Sequence, residues 1–303
     1  MNPPDDFAPP VGVAETLEPG LRRIVAPNPS PMTYRGTNTY LLGDRDIVVI
    51  DPGPEIFTHL DAILNSLQSD QRISHILVTH AHVDHSPLSR ALALESGAPV
   101  LAYGPASRGQ SAVMRALSAT DSIGGGEGID ESFQPDRQLE NGEILTIAGQ
   151  QIEVLHTPGH IGNHICLAWQ GACFTADHVM GWASSLVSPP DGDLTDFMAS
   201  CAILRERPWR TFYPGHGAQI DNPTERLDWL IAHRKGREAE ILKGLRHGPA
   251  TAQALAQQIY TQVPTALLGA ATRNVLAHLI DLTGKSVVSH KEKLSANTVF
   301  YLL

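Results

Sequence analysis

Apolar and polar positions change rhythm repeatedly along this chain. "TNTYLLG" (37–43) and "DIVVIDPG" (46–53) are apolar runs parted by a short polar turn, which predicts an antiparallel hairpin. "EIFTHLDAILNSL" (55–67) then places its apolar residues at helical spacing. A buried strand is predicted over 75–79, a helix over 88–97 and a strand over 99–104. The stretch 105–138, with "GGGEG" at 124–128, reads as a long loop. Residues 143–160 read as a hairpin running into a turn. "ICLAW" and "CFTADH" follow as strands, then a helix near 193–206, and "TFYPGHG" closes the series at 211–217. Strands alternating with helices are the grammar of a sheet covered by helices, an α/β fold.

Beyond that the rhythm turns helical. Residues 237–260 predict a helix, the turn "HGPAT" with Thr251 as N-cap after Pro249, and a second helix. Residues 265–290 add a longer helix, a glycine turn and a strand. "NTVFYLL" (297–303) supplies a second strand, with "KEKLSA" as the wing between them. That order is a winged helix-turn-helix pattern. Charge divides the chain at the same place. From Arg234 onward there are nine Lys/Arg against four Asp/Glu, whereas residues 1–233 carry 13 positive and 28 negative charges. Two units are therefore predicted, a larger α/β domain over 1–233 and a winged-helix-like domain over 234–303.

The N-terminus "MNPPDDFAPPVG" has neither a basic segment nor an apolar core, so no leader peptide is expected. No apolar run approaches the roughly 18 residues of a membrane span. Cys166, Cys173 and Cys201 are odd in number and unpatterned, which points to reduced thiols and a cytoplasmic setting.

The chemistry concentrates where strands end. "HAHVDH" puts His80, His82, Asp84 and His85 into six positions just after the 75–79 strand. Alternation turns His80 and His82 to one side, and the turn that follows can aim Asp84 and His85 at a neighbouring point. This is nitrogen and oxygen donor chemistry suited to zinc. His160 in "HTPGH", Asp177 in "CFTAD" and His216 in "YPGHG" lie at three further strand ends, each a candidate ligand.

The order "THAHVDH", "TPGH", "FTAD", "YPGHG", with "TYRGTNTYLLGDRDIVVIDPGP" and "FQPDRQLENGEIL", closely resembles the metallo-beta-lactamase-fold hydrolases over roughly residues 20–220. That resemblance implies an αββα sandwich with metals at one edge. Carried over, His80, His82 and His160 hold one metal, Asp84, His85 and His216 a second, and Asp177 bridges them. The chain departs from many relatives at Ser86 and Pro87, which could cap the next helix. With the winged-helix tail, matched by pattern, nearly the whole chain resembles the beta-lactamase-like protein 2 type, whose eukaryotic members resemble single-strand RNA endonucleases.

The resemblance implies two divalent cations, zinc with manganese or iron as alternatives, about 3.5–4 Å apart and sharing a water. A metal-bridging hydroxide would attack a phosphodiester, in single-stranded RNA for example, or an ester or thioester. Asp84 would orient that hydroxide and relay its proton. His164 and His178 could protonate a leaving group or simply pack in the core. Asp51 could fix a ligand imidazole from behind or merely end a strand. A nucleic-acid-binding regulator that senses a ligand through its metallohydrolase domain is the alternative class, and a homodimer is compatible with either.

Overall fold

The computed structural model describes residues 7–120 and 122–303. Residues 1–6 of the N-terminal stretch, and residue 121 in the long loop, lie outside the described residues. The chain opens with two strands the hydrophobic pattern had not marked, β1 (Glu15–Glu18) and β2 (Leu21–Val25). The predicted hairpin is β3 (Asn38–Leu42) and β4 (Asp46–Ile50), and the helix after it is α1 (Phe57–Asn65). β5 (Arg72–Val78), α2 (Leu88–Ser96), β6 (Val100–Ala102), α3 (Ala112–Ser118) and the two-residue β7 (Arg137–Gln138) follow. These strands form one seven-stranded sheet in chain order, antiparallel through β4 and parallel from there on.

The second sheet is a meander of β8 (Ile144–Ile147), β9 (Gln150–His156), β10 (Ile165–Trp169) and β11 (Ala172–Ala176). After α4 (Leu194–Arg205), β12 (Thr211–Pro214) joins it parallel to β11. Apolar residues of both sheets, among them Tyr40, Leu77, Ile165, Phe174 and Tyr213, form the layer between them. Leu60 and Ile63 of α1 and Leu88 and Leu92 of α2 cover the outer face of the first sheet. Phe197 and Leu204 of α4, with Leu227 and Leu230 of α5 (Pro223–Leu245), cover the second. This is the αββα sandwich. β3 and β11 are buried at every position, and so read as runs rather than alternations.

The C-terminal unit comprises β13 (Ala250–Thr251), α6 (Ala252–Ile259), α7 (Leu268–Gly284), β14 (Val288–His290) and β15 (Val299–Leu302). Its strands order as β13-β15-β14, the sheet of a winged helix. Thr251 caps α6 as predicted, its side chain accepting the Ala254 amide at 3.2 Å. The division after residue 233 falls within α5, so one unbroken helix joins the two units.

Three sequence expectations differ from the structure. The 105–138 stretch is not all loop: Ser111 caps α3, which buries Met114 in the core of the C-terminal unit. Ser86 does not cap α2. Pro87 holds the cap position without a side-chain bond, and the Ser86 hydroxyl instead donates to Asp130 Oδ2 at 2.9 Å. Arg234, counted in the basic balance of the tail, is only 2% exposed. Among the described residues no helix is long and apolar enough to cross a membrane.

Candidate metal centre

The two sheets meet at one edge through backbone bonds between strand ends. The Asn38 amide donates to the Gly215 carbonyl at 2.7 Å, and the Ile165 amide to the Thr79 carbonyl at 2.9 Å. All seven candidate ligands arrive at this edge. Residues 82–86 form a tight turn in which the His85 and Ser86 amides both bond to the His82 carbonyl. That turn reverses the chain after His82 and brings Asp84 and His85 back beside His80.

Two donor sets result. His80, His82 and His160 offer nitrogens that lie close together, as do the donor atoms of Asp84, His85, Asp177 and His216. His160 Nε2 is 3.0 Å from His82 Nδ1 and 3.7 Å from Asp177 Oδ2. His85 Nε2 is 3.4 Å from both Asp84 Oδ2 and Asp177 Oδ1. His216 Nε2 is 3.1 Å from Asp84 Oδ2 and 3.4 Å from Asp177 Oδ2. Asp177 thus touches both sets.

Donor groups on a tetrahedral cation at about 2.0–2.1 Å stand about 3.3 Å from one another, the spacing seen here. Burial sharpens the point. His80 Nε2, His85 Nε2 and Asp177 Oδ1 are buried without a hydrogen-bond partner. Polar atoms in that state are costly unless a cation meets them. The residues present therefore fit divalent metal.

The outer nitrogens of these rings are tied. His85 Nδ1 donates to Asp51 Oδ2 at 2.9 Å, His160 Nδ1 to the Leu186 carbonyl at 2.7 Å, and His216 Nδ1 to the Gly36 carbonyl at 3.1 Å. Each tie fixes the Nδ1 proton outward and points Nε2 into the site, as a metal-bound imidazole requires. Asp51 accepts three bonds in all, since its oxygens also take the Thr79 amide and hydroxyl, both at 2.7 Å, and it faces the Nδ1 side of His85, away from the inward Nε2. It is therefore a brace and not a donor, although it lies beside His80 and His85. Burial, then the imidazoles of His85 and His82, hold His80 well below its ordinary pKa, as a neutral ligand requires. Burial would lift the Asp84 carboxyl, but His85 and His216 outweigh it and hold it well below the carboxylate range. Burial would depress His216, yet Asp177 and Asp84 raise it to about 9.

Glycine is required at two points. A Cβ at Gly215 would lie 2.3 Å from Asp177 Oδ1 and 2.8 Å from His85 Cε1. At Gly159, where φ is +133°, it would meet the Phe197 backbone at 2.3 Å.

His164 and His178 are wholly buried. His164 Nδ1 lies 2.9 Å from the Thr157 hydroxyl. His178 packs on Phe197 with ring centroids 4.4 Å apart, its Nε2 3.4 Å from Cys201 Sγ. Burial, then His160 and Arg234, push His178 down to about 3. Sequence reasoning missed Thr79, Thr37 and Leu186. Thr37 Oγ1 lies 3.4 Å from Asp84 Oδ2. Thr79 precedes the first histidine and could have been suspected; Leu186 acts through its carbonyl, which no side chain announces.

A sandwich of this topology with such a donor edge defines a metal-dependent hydrolase class. The model of the metallo-beta-lactamase superfamily matches residues 32–216, and that of the beta-lactamase associated winged helix domain matches 251–296. The chain belongs to the metallo-beta-lactamase superfamily. It is similar to the beta-lactamase-like protein 2 homolog of Drosophila melanogaster, 33% identical over 303 residues and covering 94% of each chain. It is also similar to an atrochrysone carboxyl ACP thioesterase of Aspergillus fumigatus, 28% identical over 82% of this chain and 76% of that one. A metallo-beta-lactamase family protein from Thermus thermophilus shares the fold, with a TM-score of 0.76, 24% identity, and coverage of 95% of this chain and 100% of that one.

Proposed function

We propose that this hydrolase is dinuclear and cleaves a small-molecule thioester or ester. His80, His82 and His160 would hold one cation, Asp84, His85 and His216 the other, and Asp177 both, with zinc the metal best suited to this set. The observation that carries the reading is the pair of buried donor sets sharing Asp177, with three donor atoms lacking any other partner. Bound cations would supply an activated water at neutral pH and a Lewis acid for the scissile carbonyl.

The chain's own residues do the rest. Asp84 keeps 21% of its side chain exposed, against 10% for Asp177, so it is the carboxylate best placed to take a proton from incoming water. Thr37 steadies it from the β3 side, and Asp51 holds His85 from behind. His164 and His178, both enclosed, act as packing groups rather than proton donors.

A thioester or ester is favoured because the similarity to a carrier-protein thioesterase extends over most of the chain, and because the tail does not offer a reading helix. In a winged helix the second helix of the motif enters the DNA groove. Here α7 buries Ala271 and Val275 through Leu282, leaving little face for nucleic acid. Single-stranded RNA stands second, on the exposed Lys235, Lys243, Arg246, Lys291 and Lys293. Three buried free thiols support a reducing, cytoplasmic setting.

The test is metal analysis followed by a panel: a model thioester, a lactone, bis(p-nitrophenyl) phosphate and single-stranded RNA. Two equivalents of metal and a preference for the thioester or lactone are expected. Turnover of RNA alone would transfer the assignment to the second reading.

A further inference from the structure

The C-terminal unit reaches the metal edge through the short segment 185–188. Ser185 faces both ways. Its hydroxyl bonds to the Asp177 carbonyl and lies 2.9 Å from that of His178, while its own carbonyl accepts from Arg234 Nη2. The Leu186 carbonyl accepts from His160 Nδ1. The Val187 amide donates to Asn274 Oδ1 at 3.1 Å, and that same oxygen accepts from Arg234 Nη1 at 2.9 Å.

Arg234 is buried, stacks its guanidinium 5.0 Å over Phe197, and has no carboxylate partner among the described residues. Burial lowers its pKa only to about 10, so it stays charged at neutral pH. A desolvated cation that spends its donors on one backbone carbonyl and one amide side chain is an expensive device for packing alone. Its geometry has a simpler account: it locks the 185–187 backbone, which in turn sets the ring of His160 and the main chain of Asp177.

Resting on the dinuclear reading above, we infer that Asn274 of α7 and Arg234 of α5 are positioning residues for the metal centre, so that the winged helix sets metal affinity from outside the hydrolase domain. Both act through the 185–187 backbone, and neither touches a donor atom. Outer partners of metal-bound histidines characteristically matter about 10–100-fold in affinity, and a contact one step further out belongs at the lower end of that range.

The test is Co2+ titration of the full-length metal-free protein against a competing chelator, with the visible absorption of the bound ion as a second readout. Asn274→Ala should weaken Co2+ binding about tenfold and alter the absorption bands. Asn274→Asp keeps an oxygen for both Val187 and Arg234 and should restore both readouts. Leu279→Ala, which opens the α7 core without touching 185–188, should lower Tm and leave Co2+ affinity unchanged. Asn274→Ala binding Co2+ like the wild type would overturn the inference, as would Leu279→Ala weakening it equally. A wild-type chain that binds no Co2+ would overturn the dinuclear reading as well, so the two failures are distinguishable.

Discussion

Asp51 orders an imidazole in each donor set. Its Oδ2 takes His85 Nδ1 at 2.9 Å directly, and it reaches His80 through the Thr79 hydroxyl, which donates to Asp51 and lies 3.0 Å from His80 Nδ1. One carboxylate therefore points two Nε2 atoms inward at once. Its backbone φ of +51° places it in the left-handed region, where Asn and Asp are among the few non-glycine residues at ease.

Asp51→Asn keeps that backbone and the shape but loses one acceptor. Metal affinity should fall about 10–100-fold, while the fold persists. Chelator competition on the purified variant reads this, and an affinity equal to wild type would show that Asp51 is only a strand-ending turn.

Gly215→Ala probes the opposite side of the centre. The added methyl would press on Asp177 Oδ1 and His85 Cε1 from ordinary backbone, so side-chain displacement is the dominant effect. At least one metal equivalent should be lost at micromolar metal, with hydrolysis lost too. Elemental analysis with two metals retained would contradict the close approach.

The motif positions carried most of this site because they are side chains at strand ends, where spacing in the chain maps directly onto placement. His160, Asp177 and His216 were legible for that reason. What the chain's pattern hid was backbone chemistry. Leu186 and Gly36 contribute carbonyls, and the 185–188 segment gains its role only from Arg234 and Asn274, some 40 to 90 positions away in sequence. Arg234 itself looked like one more surface cation, since charge counting cannot distinguish an exposed guanidinium from one enclosed beside Phe197. α3 was lost in the 105–138 loop because it is seven residues long and buries only Met114.

Metal uptake should release protons. In the metal-free chain Asp177 and Asp84 outweigh burial and hold His216 at about 9, so it carries a proton at pH 7, and Asp84, Asp177 and Asp51 outweigh burial to lift His85 well above its ordinary value. A cation must displace the His216 proton, so affinity rises with pH, and the His216 contribution to that rise levels off near 9. Calorimetric titration at about pH 7 in buffers of different ionisation enthalpy should report net proton release, smaller above about pH 9 where His216 has lost its proton. Uptake without proton release at neutral pH would contradict the raised value.

Thiol reagents should find nothing to react with in the native chain. Cys166, Cys173 and Cys201 are all fully buried, and burial pushes the Cys201 thiol up to about 12. The thiolate is the reactive form, so both access and ionisation oppose reaction. An aromatic disulfide reagent should count no fast thiols natively and three after denaturation. A thiol reacting in the native protein within seconds would identify a local opening.

The tail offers the sharpest separation between the two substrate readings. Lys235, Lys243, Lys291 and Lys293 are exposed, and none takes part in the 185–188 contacts. Replacing all four by Glu reverses the surface charge without opening the core. Thioester hydrolysis should keep its kcat/KM within about twofold and be indifferent to salt, because a small acyl substrate gains little from distant lysines. Were RNA the substrate, the same variant would raise KM for single-stranded RNA, and the deficit would shrink as salt rises, since phosphate contacts act through counterion release. α7 predicts the first pattern, because its buried face already holds α6 and the metal-side segment and leaves the lysines as solvating charge. A strong, salt-sensitive rise in KM for RNA would show instead that the wing carries substrate to the metals.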